Sequence, residues 1–110
     1  MPTVNVYFNK EEECQKFAPI VLKLKEFLAE KLSGSSIKLT SKEISVRFLS
    51  VLGGAMIGNI ELEITAHAFK ERIDKEDEIC LQTRDYIMKE LAELGDVRVW
   101  LKLSELGHSW

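Results

Sequence analysis

A chain of 110 residues has room for one domain, residues 1–110, around one core, and its 45 % hydrophobic and 30 % charged content is that of a globular unit. Fifteen Lys and Arg lie interspersed among eighteen Asp and Glu for a net charge of −3, with no basic block, which argues against nucleic acid as a partner. The apolar run Val51 to Ile57 is far below the roughly 18 residues that suggest a membrane span, and no basic-then-apolar segment opens the chain, so the sequence reads as cytoplasmic with no membrane partner.

Met1-Pro2 leads directly into Thr3-Val4-Asn5-Val6-Tyr7-Phe8, an alternation that predicts a first strand beginning at a proline. Removal of Met1 leaves a secondary amine fixed at the head of that strand. An α-amine titrates near ~7.7–8.0, and burial or neighbouring cations disfavour its charged form, so Pro2 is a candidate general base at neutral pH. Pro2 is equally a residue type suited to the first position of a strand, without chemistry.

Phe17, Ile20, Val21, Leu24, Phe27, Leu28 and Leu32 recur at three-and-four spacing and predict an amphipathic helix that Ser33-Gly34-Ser35-Ser36 ends. Pro19 has no N–H to donate, so this helix either begins near Cys14 to Ala18 or kinks at the proline. Ile44, Val46 and Phe48 alternate with Ser45, Arg47 and Leu49 as a second strand running toward Gly53-Gly54. Ile60 to Ala68 alternates as a third. Asp74 is a candidate N-cap for a second helix whose first turn carries Glu76, Asp77 and Glu78 and whose stripe is Ile79, Cys80, Thr83, Ile87, Met88, Leu91 and Leu94. Gly95 stands where a left-handed C-terminal cap belongs. Val97, Val99, Leu101 and Leu103 form a fourth strand, leaving Ser104 to Trp110 as a tail. Cys14 and Cys80 lie far apart, with no C-x-x-C pair and no histidine at ligand spacing, so both read as reduced thiols, and neither a metal nor a cofactor is implied.

The order is β-α-β followed by β-α-β, and Lys25-Glu26-Phe27-Leu28-Ala29-Glu30 echoes Lys89-Glu90-Leu91-Ala92-Glu93 between the halves. Right-handed crossovers make the two strands of each half parallel. This is an α+β two-layer sandwich with both helices on one face of a four-stranded mixed sheet. The open face then carries Asn5, Tyr7, Arg47, Leu49, Glu61, Glu63, Thr65, His67, Arg98, Trp100 and Lys102, a mixture that suits an interface or a wet site.

On Pro2 at the head of strand one, on Ser45-Val46-Arg47-Phe48-Leu49 before a Gly-rich turn, and on the doubled β-α-β order, the chain resembles the tautomerase superfamily, which includes 4-oxalocrotonate tautomerase and macrophage migration inhibitory factor. Small bacterial proteins of that fold also begin Met-Pro-Thr and end in a Gly-His-aromatic tail, here Gly107-His108-Ser109-Trp110. The resemblance implies a homotrimer with a site at each subunit boundary. There the Pro2 amine moves a proton between oxygen and carbon of a small enol or keto acid. Cations hold the carboxylate and stabilise the enolate. Arg47 matches the strand-two arginine of the 4-oxalocrotonate group, and Lys38 lies near the lysine of the cytokine-like members. Arg98 and Trp100 take the strand-four positions where those members carry an aromatic and an amide.

The pattern also departs from that family. Asn9-Lys10-Glu11-Glu12 stands where the 4-oxalocrotonate group has a second arginine, and Lys10 offers only a point charge without the bidentate fork. Arg47 suits an ion pair with Glu61 or Glu63 as well as it suits a substrate. His67 and His108 read as structural or exposed. A catalytically silent or ligand-sensing trimer is the alternative function. Ferredoxin-like domains share the element order: their RNA-recognition and acylphosphatase variants lack support, because no aromatic RNA-binding signature lies on strand three and no phosphate loop follows strand one, and a ferredoxin-like regulatory domain ranks behind the trimer.

Overall fold

The computed structural model describes residues 2–105. Strand β1 (Thr3–Phe8) is followed by helix α1 (Glu11–Phe17), a 3₁₀ turn over Ala18–Ile20 and helix α2 (Val21–Leu32). The proline falls at the start of that turn, so the rod tightens there instead of breaking. It also begins earlier than the apolar stripe suggests, because Glu11 and Glu12 place exposed carboxylates against the positive end of the dipole. Leu24, Leu28 and Leu32 are fully buried, each contributing roughly 1.5–3 kcal/mol of transfer free energy.

A capped turn over Ser41–Glu43, in which Glu43 Oε1 accepts the Thr40 N–H at 3.0 Å, feeds strand β2 (Ser45–Ser50). Strand β3 (Ile60–His67) leads to a short helix α3 (Lys70–Asp74), then α4 (Glu76–Glu90), a 3₁₀ turn over Ala92–Leu94 and strand β4 (Val97–Ser104).

Three expectations fail here. Asp74 does not cap α4: it ends α3, where it pairs with Lys70 at 3.1 Å, and the residue before α4 is Lys75, which makes no side-chain cap. Gly95 has the positive φ expected of a cap (81°), but its ψ of −125° lies in a region open essentially only to glycine and not in the left-handed helical well. Ser104 belongs to β4, not to the tail, and residues 106–110 lie outside the described residues, as does Met1.

The sheet order is β2-β1-β3-β4, with β1 and β2 parallel, β1 and β3 antiparallel, and β3 and β4 parallel. Each β-α-β half therefore closes as a parallel pair, and the two halves meet along β1 and β3. A ferredoxin-like domain would place β1 between β3 and β4, so that alternative is excluded. Val4, Val6, Ile60, Leu62, Ile64 and Val97 are fully buried under the helices, while their neighbours in sequence face away from them. No helix among the described residues is long and apolar enough to cross a membrane. Cys14 and Cys80 are free thiols.

Candidate functional site

Pro2 is buried at the head of a central strand, and its carbonyl accepts the Ser45 N–H at 3.1 Å, so the residue before β1 is tied to the start of β2. The register sets every other candidate against it. Thr3 pairs with Ser45 on one side and Thr65 on the other, and Thr65 pairs with Lys102. Two residues along, one row crosses the open face as Arg47, Asn5, Glu63 and Trp100. With strands ~4.8 Å apart and ~3.4 Å per residue, the Arg47 backbone stands about 11 Å from that of Pro2 and Trp100 about 14 Å. Arg98 lies two residues further toward the opposite end, about 20 Å away by the same spacing. Lys38 belongs to the exposed loop that leads toward β2, at the Pro2 end.

The centre of the open face is occupied by a carboxylate. Glu63 Oε1 accepts both the Asn5 amide N–H and the Tyr7 hydroxyl, each at 3.0 Å. The Asn5 amide, the Tyr7 hydroxyl and the charge of Lys102 hold the Glu63 carboxyl below its ordinary range against the effect of burial. The same contact pushes the Tyr7 phenol up. The Tyr7 and Trp100 rings lie nearly parallel, centroids 6.5 Å apart. Glu63 is thereby committed within the protomer, and Glu61 accepts the Ile57 and Gly58 N–H groups at 3.1 Å. Neither takes Arg47, which has no ion-pair partner among the described residues and is exposed. Arg98 pairs instead with Asp96 at 3.1 Å.

At the Pro2 end the loop after α2 is docked by Glu71, whose carboxylate accepts the Ser35 N–H at 3.1 Å and the Ser35 hydroxyl at 2.9 Å. These bonds, and then the charges of Lys75 and Lys38, lower its pKa. Gly34 is required there, since a Cβ would meet Phe69 Cε2 at 2.8 Å. The sequence reads His67 as structural or exposed and gives Lys102 no role, yet both lie on the open face near Pro2. They sit among the alternating positions of the open face, and only the register of β1 against β3 and β4 separates them from the rest.

A cavity of about 440 Å³ opens at the other side of β4, lined by Glu76, Asp77, Cys80, Leu81, Val99 and Trp100. Of the proposed site residues it includes Trp100 alone. Among the described residues no cluster of His, Cys, Asp or Glu suits a metal ion.

No protein-family model matches the sequence, and no curated protein matches it. Solved structures do. A member of the cis-3-chloroacrylic acid dehalogenase family superposes with a TM-score of 0.68 at 14 % identity over 94 % of this chain and 75 % of its own. A fused 4-OT described as an asymmetric trimer gives 0.67 at 14 % identity over 96 % and 91 %. A 5-carboxymethyl-2-hydroxymuconate delta-isomerase gives 0.63 at 9 % identity over 100 % and 85 %. At such identities the likeness establishes the fold.

Proposed function

We propose that this chain, which has the fold of the tautomerase and macrophage migration inhibitory factor superfamily, is an isomerase that moves a proton on a small enol or keto acid, with Pro2 as base. The observation that carries the reading is the place of Pro2, at the head of a central strand with its carbonyl pinned to Ser45, so that the nitrogen of the processed chain is fixed at one end of the sheet. The secondary amine takes the proton from the enol oxygen and returns it to carbon. The oxygen lone pair becomes the carbonyl π bond and the C=C pair becomes the new C–H bond, so no co-reactant is needed. Cations that hold the carboxylate and the developing oxyanion lower the barrier.

In this reading the working unit is a homotrimer. Arg47, Lys38, Arg98 and Trp100 line sites at subunit boundaries, and Arg98 and Trp100 serve the Pro2 of a neighbouring copy because their own lies beyond reach. A binding assembly without turnover is the second reading, and the commitment of Arg98 to Asp96 favours it.

The test compares protein whose intact mass shows Met1 removed with protein carrying one added residue before Pro2, on phenylpyruvate enol and related enol acids. Turnover in the free form and its loss in the blocked form are expected. Arg47→Ala should lower the rate by about 10²–10³ where Arg47 meets the oxyanion. Equal rates in the free and blocked forms exclude the amine as base, and no turnover in the free form favours the second reading.

A further inference from the structure

We propose that His67 and Lys102 form a carboxylate-binding wall beside Pro2 within the same protomer. This deepens the reading above and rests on its choice of Pro2 as the reacting end. His67 is the last residue of β3. Because Thr65 pairs with Thr3, Ala66 falls opposite Pro2 and His67 one step beyond, about 6 Å from Pro2 by strand spacing. Lys102 pairs with Thr65 and stands about 10 Å away, a distance its flexible four-carbon stem can span. Both side chains are exposed and project from the open face, as the alternation with buried Ile64 and Ala66 requires.

The end of β3 is also held more firmly than a strand terminus usually is. The buried Arg72 guanidinium donates to the His67 carbonyl at 2.8 Å, and the Ala68 N–H donates to the Ser104 carbonyl at 2.9 Å, which ties β3 to β4 where Lys102 lies. An imidazole N–H and an ammonium on a fixed frame, their backbones about 6 and 10 Å from that of a terminal amine, suit a short carboxylic acid whose reacting carbon lies one or two bonds from the carboxylate. Glu63, one row away and held ionised by Asn5 and Tyr7, excludes a second negative group at the centre of the face and so favours a monocarboxylate with an apolar remainder. Arg72 acts here only as a positioning residue, through the His67 backbone.

The test uses cinnamate, a carboxylate that cannot enolise, so that binding is read without turnover. Calorimetric titration of the full chain with a free Pro2 should give a Kd that rises about tenfold in His67→Gln and in Lys102→Met, and stays within about twofold in Lys23→Met, whose lysine lies exposed on α2. Fumarate should bind more weakly than cinnamate, and Glu63→Gln should narrow that gap. Unchanged affinity in both His67→Gln and Lys102→Met, equal weakening by Lys23→Met, or no cinnamate binding by the wild type overturns the assignment. Cinnamate binding that depends on His67 and Lys102 without any turnover of enol acids leaves the wall standing and removes the proton-transfer reading.

Discussion

The Nε of Arg72 donates to the carbonyl of Leu32 at 2.8 Å, so a buried guanidinium from the second half of the chain closes the C-terminus of α2 in the first half. Arg72 has no carboxylate partner among the described residues. It lies over the Phe69 ring at 4.3 Å, and burial draws its pKa down. Its compensation is the negative end of the α2 dipole together with two carbonyls, those of Leu32 and His67.

Arg72→Met should therefore destabilise the fold by about 2–4 kcal/mol in urea unfolding, since it leaves the buried Leu32 carbonyl and the partly buried His67 carbonyl unmatched. Arg72→Lys, which keeps the charge but not the two-pronged geometry, should fall between. Stability equal to the wild type in Arg72→Met would show that water replaces the guanidinium.

The network on the open face has its own signature in pH. The folded pKa of Glu63 is depressed, so its contribution is fully present above the ordinary carboxylate value near ~4.3 and is lost as pH falls through the lower folded value. Unfolding free energies measured between pH 3 and 6 should fall less steeply in Glu63→Gln than in the wild type, with Glu71 supplying a residual slope. The phenol of Tyr7 should at the same time titrate lower, toward its ordinary range, which spectroscopic titration in a Tyr86→Phe background would isolate. An unchanged Tyr7 titration argues against the 3.0 Å contact in solution.

Glu13 presents the opposite case, with its side chain 8 % exposed and both carboxylate oxygens buried without a donor. A buried polar group without hydrogen-bond partners opposes folding, so Glu13→Leu should raise stability by about 1–3 kcal/mol by thermal or urea unfolding. Loss of stability on that change would mean that Lys10 or Lys16, which line the adjoining cavity, reaches the carboxylate in solution.

Glu13 and Arg72 also mark where the sequence stops being informative. The strands were legible because apolar residues alternate through Val4 to Phe8, Ile60 to Ala66 and Val97 to Leu103, and the helices because leucines recur every three or four positions. Glu13 lies in a run of three glutamates and Arg72 in Lys-Glu-Arg, where composition predicts solvent, and tertiary packing buries one member of each run. Asp74 looked like a cap because nothing in its neighbourhood announces the five-residue helix it ends. Pro2 and Arg47 could be singled out one by one, but their separation, the remoteness of Arg98 and the proximity of His67 depend on register, which periodicity does not encode.

Assembly is the remaining test. The open face exposes Trp100 at 40 % and Leu49 at 37 %, and the loop after β2 exposes Leu52 at 99 % and Ile57 at 77 %. Both β2 and β4 are edge strands with unpaired backbone groups. Covering this surface with two further copies, as proposed above, gains roughly 1.5–3 kcal/mol for each large apolar side chain that becomes fully buried, and it closes by rotational symmetry without leaving an open end. Light scattering at micromolar concentration should give three times the 12.6 kDa of one chain. Leu49→Asp, which places a charge on the exposed face that the proposed trimer would cover, should yield monomers with near-native circular dichroism and, where turnover is found, remove it together with the trimer. A wild-type monomer at that concentration defeats the subunit-boundary site, while the His67 and Lys102 wall, which lies within one protomer, stays open to its own binding test.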